Sequence, residues 1–103
     1  MGYRLVVTDN ADCLLDECIG YLLYKFKSNQ AASHLLDSVH STYEAIEKNP
    51  YIFPESKDAN LKRLGYREAV IIDMDYIILY RIENSHVYIV GIFHTLEDYR
   101  NKI

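Results

Sequence analysis

Apolar positions along the chain change their spacing from element to element, and each change marks a boundary. Residues 3–8 (YRLVVT) form a short β-rich run that stops at Asp9-Asn10, two residues suited to capping a helix. From Ala11 onward, Ala11, Leu14, Leu15, Cys18, Ile19, Leu22 and Phe26 recur three and four apart, the spacing of one helical face. Asp12, Asp16 and Glu17 fall on other faces, and the first two suit the positive end of the helix dipole. Lys27-Ser28-Asn29 interrupts the pattern and offers a new cap. A second amphipathic helix is predicted over residues 30–48, with Ala32, Leu35, Leu36, Val39, Tyr43 and Ile46 on one face. Asn49-Pro50 ends it, because proline disfavours helical geometry in the residue before it.

Residues 50–60 hold both prolines and no period, which predicts a loop laid over the surface. Three β-rich runs follow, at 65–72, 76–82 and 86–93, joined by Asp73-Met74-Asp75 and Glu83-Asn84-Ser85. Links of that length make hairpins, so the three runs should form an antiparallel meander. The last ten residues, 94–103, are polar and suit a short helical tail. The expected fold is therefore α+β in the order β-α-α-β-β-β, one domain over residues 1–103. A helical hairpin should cover one face of a mostly antiparallel sheet, since neither layer can hide its apolar side alone. Function is then to be sought on the other sheet face.

Composition narrows the classes. Half of the 103 residues are apolar and 25% are charged, as in a soluble domain with a real core. The longest apolar stretches, 69–72 and 76–80, fall far short of the roughly 20 residues of a membrane helix. The N-terminus lacks the apolar run of a secretory signal, and Gly2 lacks the Ser or Thr of a myristoylation motif. A cytoplasmic protein without a membrane partner is expected. Cys13 and Cys18 would point about 140° apart on one helix, which excludes a disulfide between them. No metal-ligand spacing, phosphate loop or nucleophile–base motif is present, so neither a metal nor a cofactor is expected. Net charge is −4: residues 1–56 carry four Lys/Arg against eight Asp/Glu, and residues 57–103 carry seven of each. A dedicated nucleic-acid binder is usually clearly basic. This chain is not.

The order of elements, with particular phrases inside them, resembles the RelE/ParE superfamily of bacterial toxins. The phrases are Tyr3-Arg4-Leu5-Val6-Val7-Thr8 before the first helix, and Glu47-Lys48-Asn49-Pro50 closing the second. Leu64-Gly65-Tyr66-Arg67 and Tyr76-Ile77-Ile78-Leu79-Tyr80-Arg81-Ile82 follow, then 87–94 (VYIVGIFH) and, shortly after, Asp98-Tyr99. Together they cover roughly residues 3–100. The resemblance implies a small toxin held inactive by a cognate antitoxin. RelE- and YoeB-like members cut mRNA in the ribosomal A site without a metal, whereas ParE-like members inhibit DNA gyrase. An alternative is a degenerate toxin fold that catalyses nothing and acts only by binding a partner.

If the chain is an enzyme, the resemblance makes it a ribosome-dependent mRNA endonuclease, and four residues become candidates. Such chemistry needs cations on the scissile phosphate and a group to move protons. Arg67, at the start of the first meander strand, and Arg81, near the end of the second, are the candidate cations. His94, ending the third strand, is the candidate acid or base, and Tyr99 matches a tyrosine near the C-terminus of RelE-like toxins. Each has a plainer reading: Arg67 a solvent-facing strand arginine, Arg81 a partner for Glu83, His94 a strand-end histidine, Tyr99 one tyrosine among ten. A working site requires Arg67, Arg81 and His94 to converge on the exposed sheet face. His34, His40 and His86 read as surface residues. Two positions depart from the cleaving relatives: Ile77 follows Tyr76 where an arginine is usual, and Ala69 stands where a basic residue is frequent. With the missing charge surplus, they place the chain nearer the ParE-like members.

Overall fold

The computed structural model describes residues 2–71 and 74–95. Strand β1 (Arg4–Val7) leads into helix α1 (Asp9–Gly20), which continues as a π-helical turn over Tyr21–Lys25. Helix α2 (Asn29–Lys48), a short helix α3 (Ala59–Arg63) and strands β2 (Tyr66–Ile71), β3 (Tyr76–Glu83) and β4 (His86–His94) complete the order. The four strands make one sheet in the order β1-β4-β3-β2. β2, β3 and β4 pair antiparallel as the expected meander, and β1 adds to β4 in parallel.

Local chemistry explains most boundaries. The Thr8 hydroxyl, and not Asp9 or Asn10, caps α1 by accepting from the Ala11 N–H at 3.2 Å. The same hydroxyl donates to the Ile89 carbonyl at 2.8 Å, tying the helix start to β4. Ser28 caps α2 through the Ala31 N–H, and Lys27 before it takes a left-handed turn (φ 52°). Asn84, also left-handed (φ 57°), turns the tight β3–β4 hairpin, a conformation asparagine tolerates better than most residues. Helix α3 lies in and beyond the stretch expected to be loop. Asp58 caps it, and Leu61 is its one buried residue, so it leaves no apolar period to detect.

The helical hairpin packs on one sheet face. Ala11, Leu15, Leu22, Leu35, Val39 and Ile46 meet Ala69, Ile78, Tyr80, Ile89 and Ile92 there. Burial of the predicted faces is complete at Ala11, Leu35, Val39 and Ile46, while Phe26 and Leu36 end up exposed. The opposite sheet face is partly closed by α3, whose Leu61 sits with Leu79 and Phe93. An irregularity in β4 opposite Leu79 and Tyr80 leaves Val90 as an extra residue between Ile89 and Gly91. Gly91 is required there. A Cβ at that position would lie 2.6 Å from the Phe93 ring.

Candidate functional site

The four residues proposed from sequence separate into three places. Arg67 stands opposite Tyr80 on β3 and shares its face with Ala69 and Ile71, so it lies on the helix side of the sheet. Its guanidinium donates to the Phe53 carbonyl at 2.6 Å and rests 4.9 Å from the Tyr51 ring centroid. Other bonds hold the same segment. Ser56 N–H donates to the Tyr66 carbonyl, Glu68 N–H to the Pro54 carbonyl, and the Tyr80 hydroxyl to the Pro50 carbonyl at 2.7 Å. Ser56 and Glu68, 2% and 3% exposed, bond to each other at 2.9 Å. Residues 50–56 thus form a strap fastened along β2, and Arg67 is one of its fasteners. The expectation that Arg67 faces solvent is corrected.

Arg81 lies on the opposite face, as strand alternation predicts. It pairs with Glu83 at 3.0 Å, and its guanidinium lies 5.9 Å from the Tyr66 ring centroid and 6.0 Å from that of Tyr88. Its Nε is buried without a partner. Tyr88 also stacks on His86, centroids 6.0 Å apart, so His86, read as a surface residue, is half-buried at the start of β4. Arg4, opposite His86 across the β1–β4 pairing, adds a second cation to this face. The Tyr66–Arg81–Tyr88 grouping was missed in the sequence because it joins three strands.

His94 faces the helices with Ile92. It stands opposite Tyr76, and the two rings meet edge-on at 5.4 Å. Together they close one end of a groove of about 700 Å³ between the sheet and the helical hairpin, walled by Leu14, Cys18, Tyr21, Phe26 and Met74. Beside this groove the π-helical turn presents apolar rings to solvent: Tyr24 is 80% exposed, and Phe26 is 63% exposed and edge-on to Tyr21. Tyr99 lies outside the described residues.

The three described candidates therefore do not converge. Arg81 is on one face, and Arg67 and His94 are on the other. The β3 partners of those two, Tyr80 and Tyr76, are four residues apart, about 13 Å along a strand. Ala69, where cleaving relatives often carry a cation, is fully buried against the helices, and Ile77 is buried too. Burial also pushes the Tyr80 phenol up to about 12, partly offset by the nearby Arg67 charge. It is a core hydroxyl that keeps its proton at neutral pH and donates it to the Pro50 carbonyl. Among the described residues, no three His, Cys, Asp or Glu side chains gather as metal ligands, and no helix is long and apolar enough to cross a membrane.

The family model for the ParE toxin of type II toxin–antitoxin systems (parDE) matches residues 5–99. The chain belongs to the ParE toxin family. Among solved structures, a chain of the "Chromosomal ParDE TA system from P. aeruginosa" superposes with a TM-score of 0.72 at 13% identity. The match covers 89% of this chain and 95% of that one, and at such identity it shows a shared fold. No curated protein matches the sequence.

Proposed function

We propose that this ParE-family chain is the toxin half of a toxin–antitoxin module, works in the cytoplasm and inhibits DNA gyrase by binding it, without cutting mRNA. The observation that carries this reading is the separation of Arg67, Arg81 and His94. A phosphoryl-transfer site needs its cations and its proton carrier around one phosphate, because misplacement by even an ångström costs orders of magnitude in rate. Here the sheet itself stands between Arg81 and the other two, and those two lie about 13 Å apart along it. The net charge of −4 points the same way, since ribosomal RNA would repel it. A protein target suits the exposed rings of Tyr24 and Phe26, as aromatic side chains dominate protein–protein binding energy. The neutralising partner is a cognate antitoxin, and the groove between sheet and hairpin has the apolar walls that receive an amphipathic helix.

The test is a pair of assays on the purified chain. Inhibition of gyrase-catalysed supercoiling is expected, with no ribosome-dependent mRNA cleavage. Robust cleavage would overturn the reading. Inactivity in both assays, with normal growth on expression, would favour the degenerate, binding-only alternative.

A further inference from the structure

Helix α1 and strand β4 run side by side in the same sense. At one end the Thr8 hydroxyl bonds to the Ile89 carbonyl, and Asn10 Nδ2 donates to the Val90 carbonyl at 3.1 Å. Further on, the Leu14 side chain lies 3.1 Å from where a Cβ on Gly91 would stand. Cys18 is one turn beyond Leu14 on the same helical face. From Thr8 to Cys18 a helix rises about 15 Å, and from Ile89 to His94 a strand advances about 17 Å. Cys18 and His94 therefore arrive at the same end of the groove that both of them line. Met74 reaches that end from the turn before β3. It stands two residues before Tyr76, the partner of His94, and the Thr95 N–H fixes the turn by donating to the Asp75 carbonyl at 2.8 Å. Met74 also packs on the core that the helices cover, so it lies on the groove side of the sheet.

Three elements thus bring a thiol, a thioether and an imidazole to one end of an apolar groove. We propose that Cys18 Sγ, Met74 Sδ and the His94 imidazole bind a soft monovalent metal ion, Cu(I). Thiolate and thioether donors select Cu(I), whereas zinc sites are built from thiolate, imidazole and carboxylate. Charge agrees. One thiolate neutralises Cu(I), but Zn(II) would leave a positive charge among apolar side chains, where uncompensated charge is costly. The lining holds one carboxylate, Glu17, and it is exposed. Leu14, Leu22, Ile92 and the Tyr76 ring wall the groove, and an apolar shell of this kind favours the ion of lower charge. Tyr76, edge-on to His94 at 5.4 Å, orients the imidazole ring. Binding releases the Cys18 thiol proton to solvent. The donors come from three separate elements, so no ligand spacing in the sequence announces them. The inference concerns this chain alone and depends on neither the antitoxin nor the gyrase reading.

The test titrates the purified full chain with Cu(I), kept reduced and free of oxygen, against a chromogenic Cu(I) chelator. One equivalent per chain should pass from the chelator to the protein, and X-ray absorption of the product should show two sulfur donors and one nitrogen. Cys18→Ser and Met74→Leu should each weaken binding by about 10–100-fold or more, since losing a ligand costs at least as much as losing an outer-shell partner. Cys13→Ser, at the exposed cysteine, should change nothing. Circular dichroism checks that the variants fold, and if one does not, the absorption spectrum of the unaltered chain decides alone. Copper that stays with the chelator, a spectrum with fewer than two sulfurs, or binding that survives Cys18→Ser overturns the site. So does an affinity unchanged by Met74→Leu, or Zn(II) held as tightly as Cu(I).

Discussion

Two arginines on neighbouring strands, Arg67 and Arg81, sit fourteen residues apart in sequence and live in unlike surroundings. Arg67 is on the helix side, where its bond to the Phe53 carbonyl and its place over Tyr51 fasten the strap to β2. Arg81 lies on the other face between two tyrosine rings, with a half-exposed glutamate as its ion partner. The sequence context of each is similar, a tyrosine followed by an arginine in a β-rich run. What separates their roles is which side of the sheet each occupies. One fastens a separate segment of the chain, and the other is held only by side chains of its own sheet face.

That contrast breaks first under substitution. Arg67→Ala should cost about 2–3 kcal/mol of unfolding free energy, because a charge-assisted bond and a cation–π contact are both lost and the Phe53 carbonyl loses its donor. Arg81→Ala should cost about 1 kcal/mol or less, as expected for an exposed pair. Urea denaturation of the two variants measures the difference directly, and equal losses would erase the distinction. A smaller effect sharpens it. Ser56→Ala removes the hydroxyl bonded to the buried Glu68 carboxylate and should cost about 1–3 kcal/mol. The same loss should raise proteolysis within residues 50–56, whereas Arg81→Ala should not.

The smallest effect concerns two buried phenols. Burial, with Asp12 adding to it, pushes Tyr43 up to about 12, and burial does the same to Tyr80. In the unfolded chain both ionise near 10.0. The folded state therefore holds their protons longer, so stability is level below pH 10 and falls as pH rises from there towards 12. Tyr43→Phe should flatten part of that fall. At neutral pH it should be neutral or slightly stabilising, because the Tyr43 hydroxyl is buried with no partner. Denaturation midpoints at pH 7 and pH 11 check both statements.

Much of the architecture was legible because helices and strands announce their periods. The faces of α1 and α2 followed from three-and-four spacing, and the meander from short polar links. Helix α3 was hidden since five residues with one buried leucine carry no period. The face of Arg67 was readable in principle: Arg67, Ala69 and Ile71 share parity, and the latter two are core residues. His94 was not readable. Plain alternation puts it with Tyr88 and Arg81, but the extra residue at Val90 inverts the end of β4 and turns His94 to the helices. Only Gly91, a residue that often marks such irregularities, hints at it. The Tyr66–Arg81–Tyr88 grouping needed the pairing of three strands, which no single run of residues specifies.

Val90 has a consequence for descent as well as for shape. The bulge is the place where β4 carries one residue more than β3 needs. Deleting Val90 would close the bulge and leave Ile89 opposite Tyr80, Gly91 opposite Leu79 and His94 opposite Tyr76, so His94 would stay on the helix side and Phe93 on the other. One codon can thus enter or leave the strand at this point while the face of every later residue is kept.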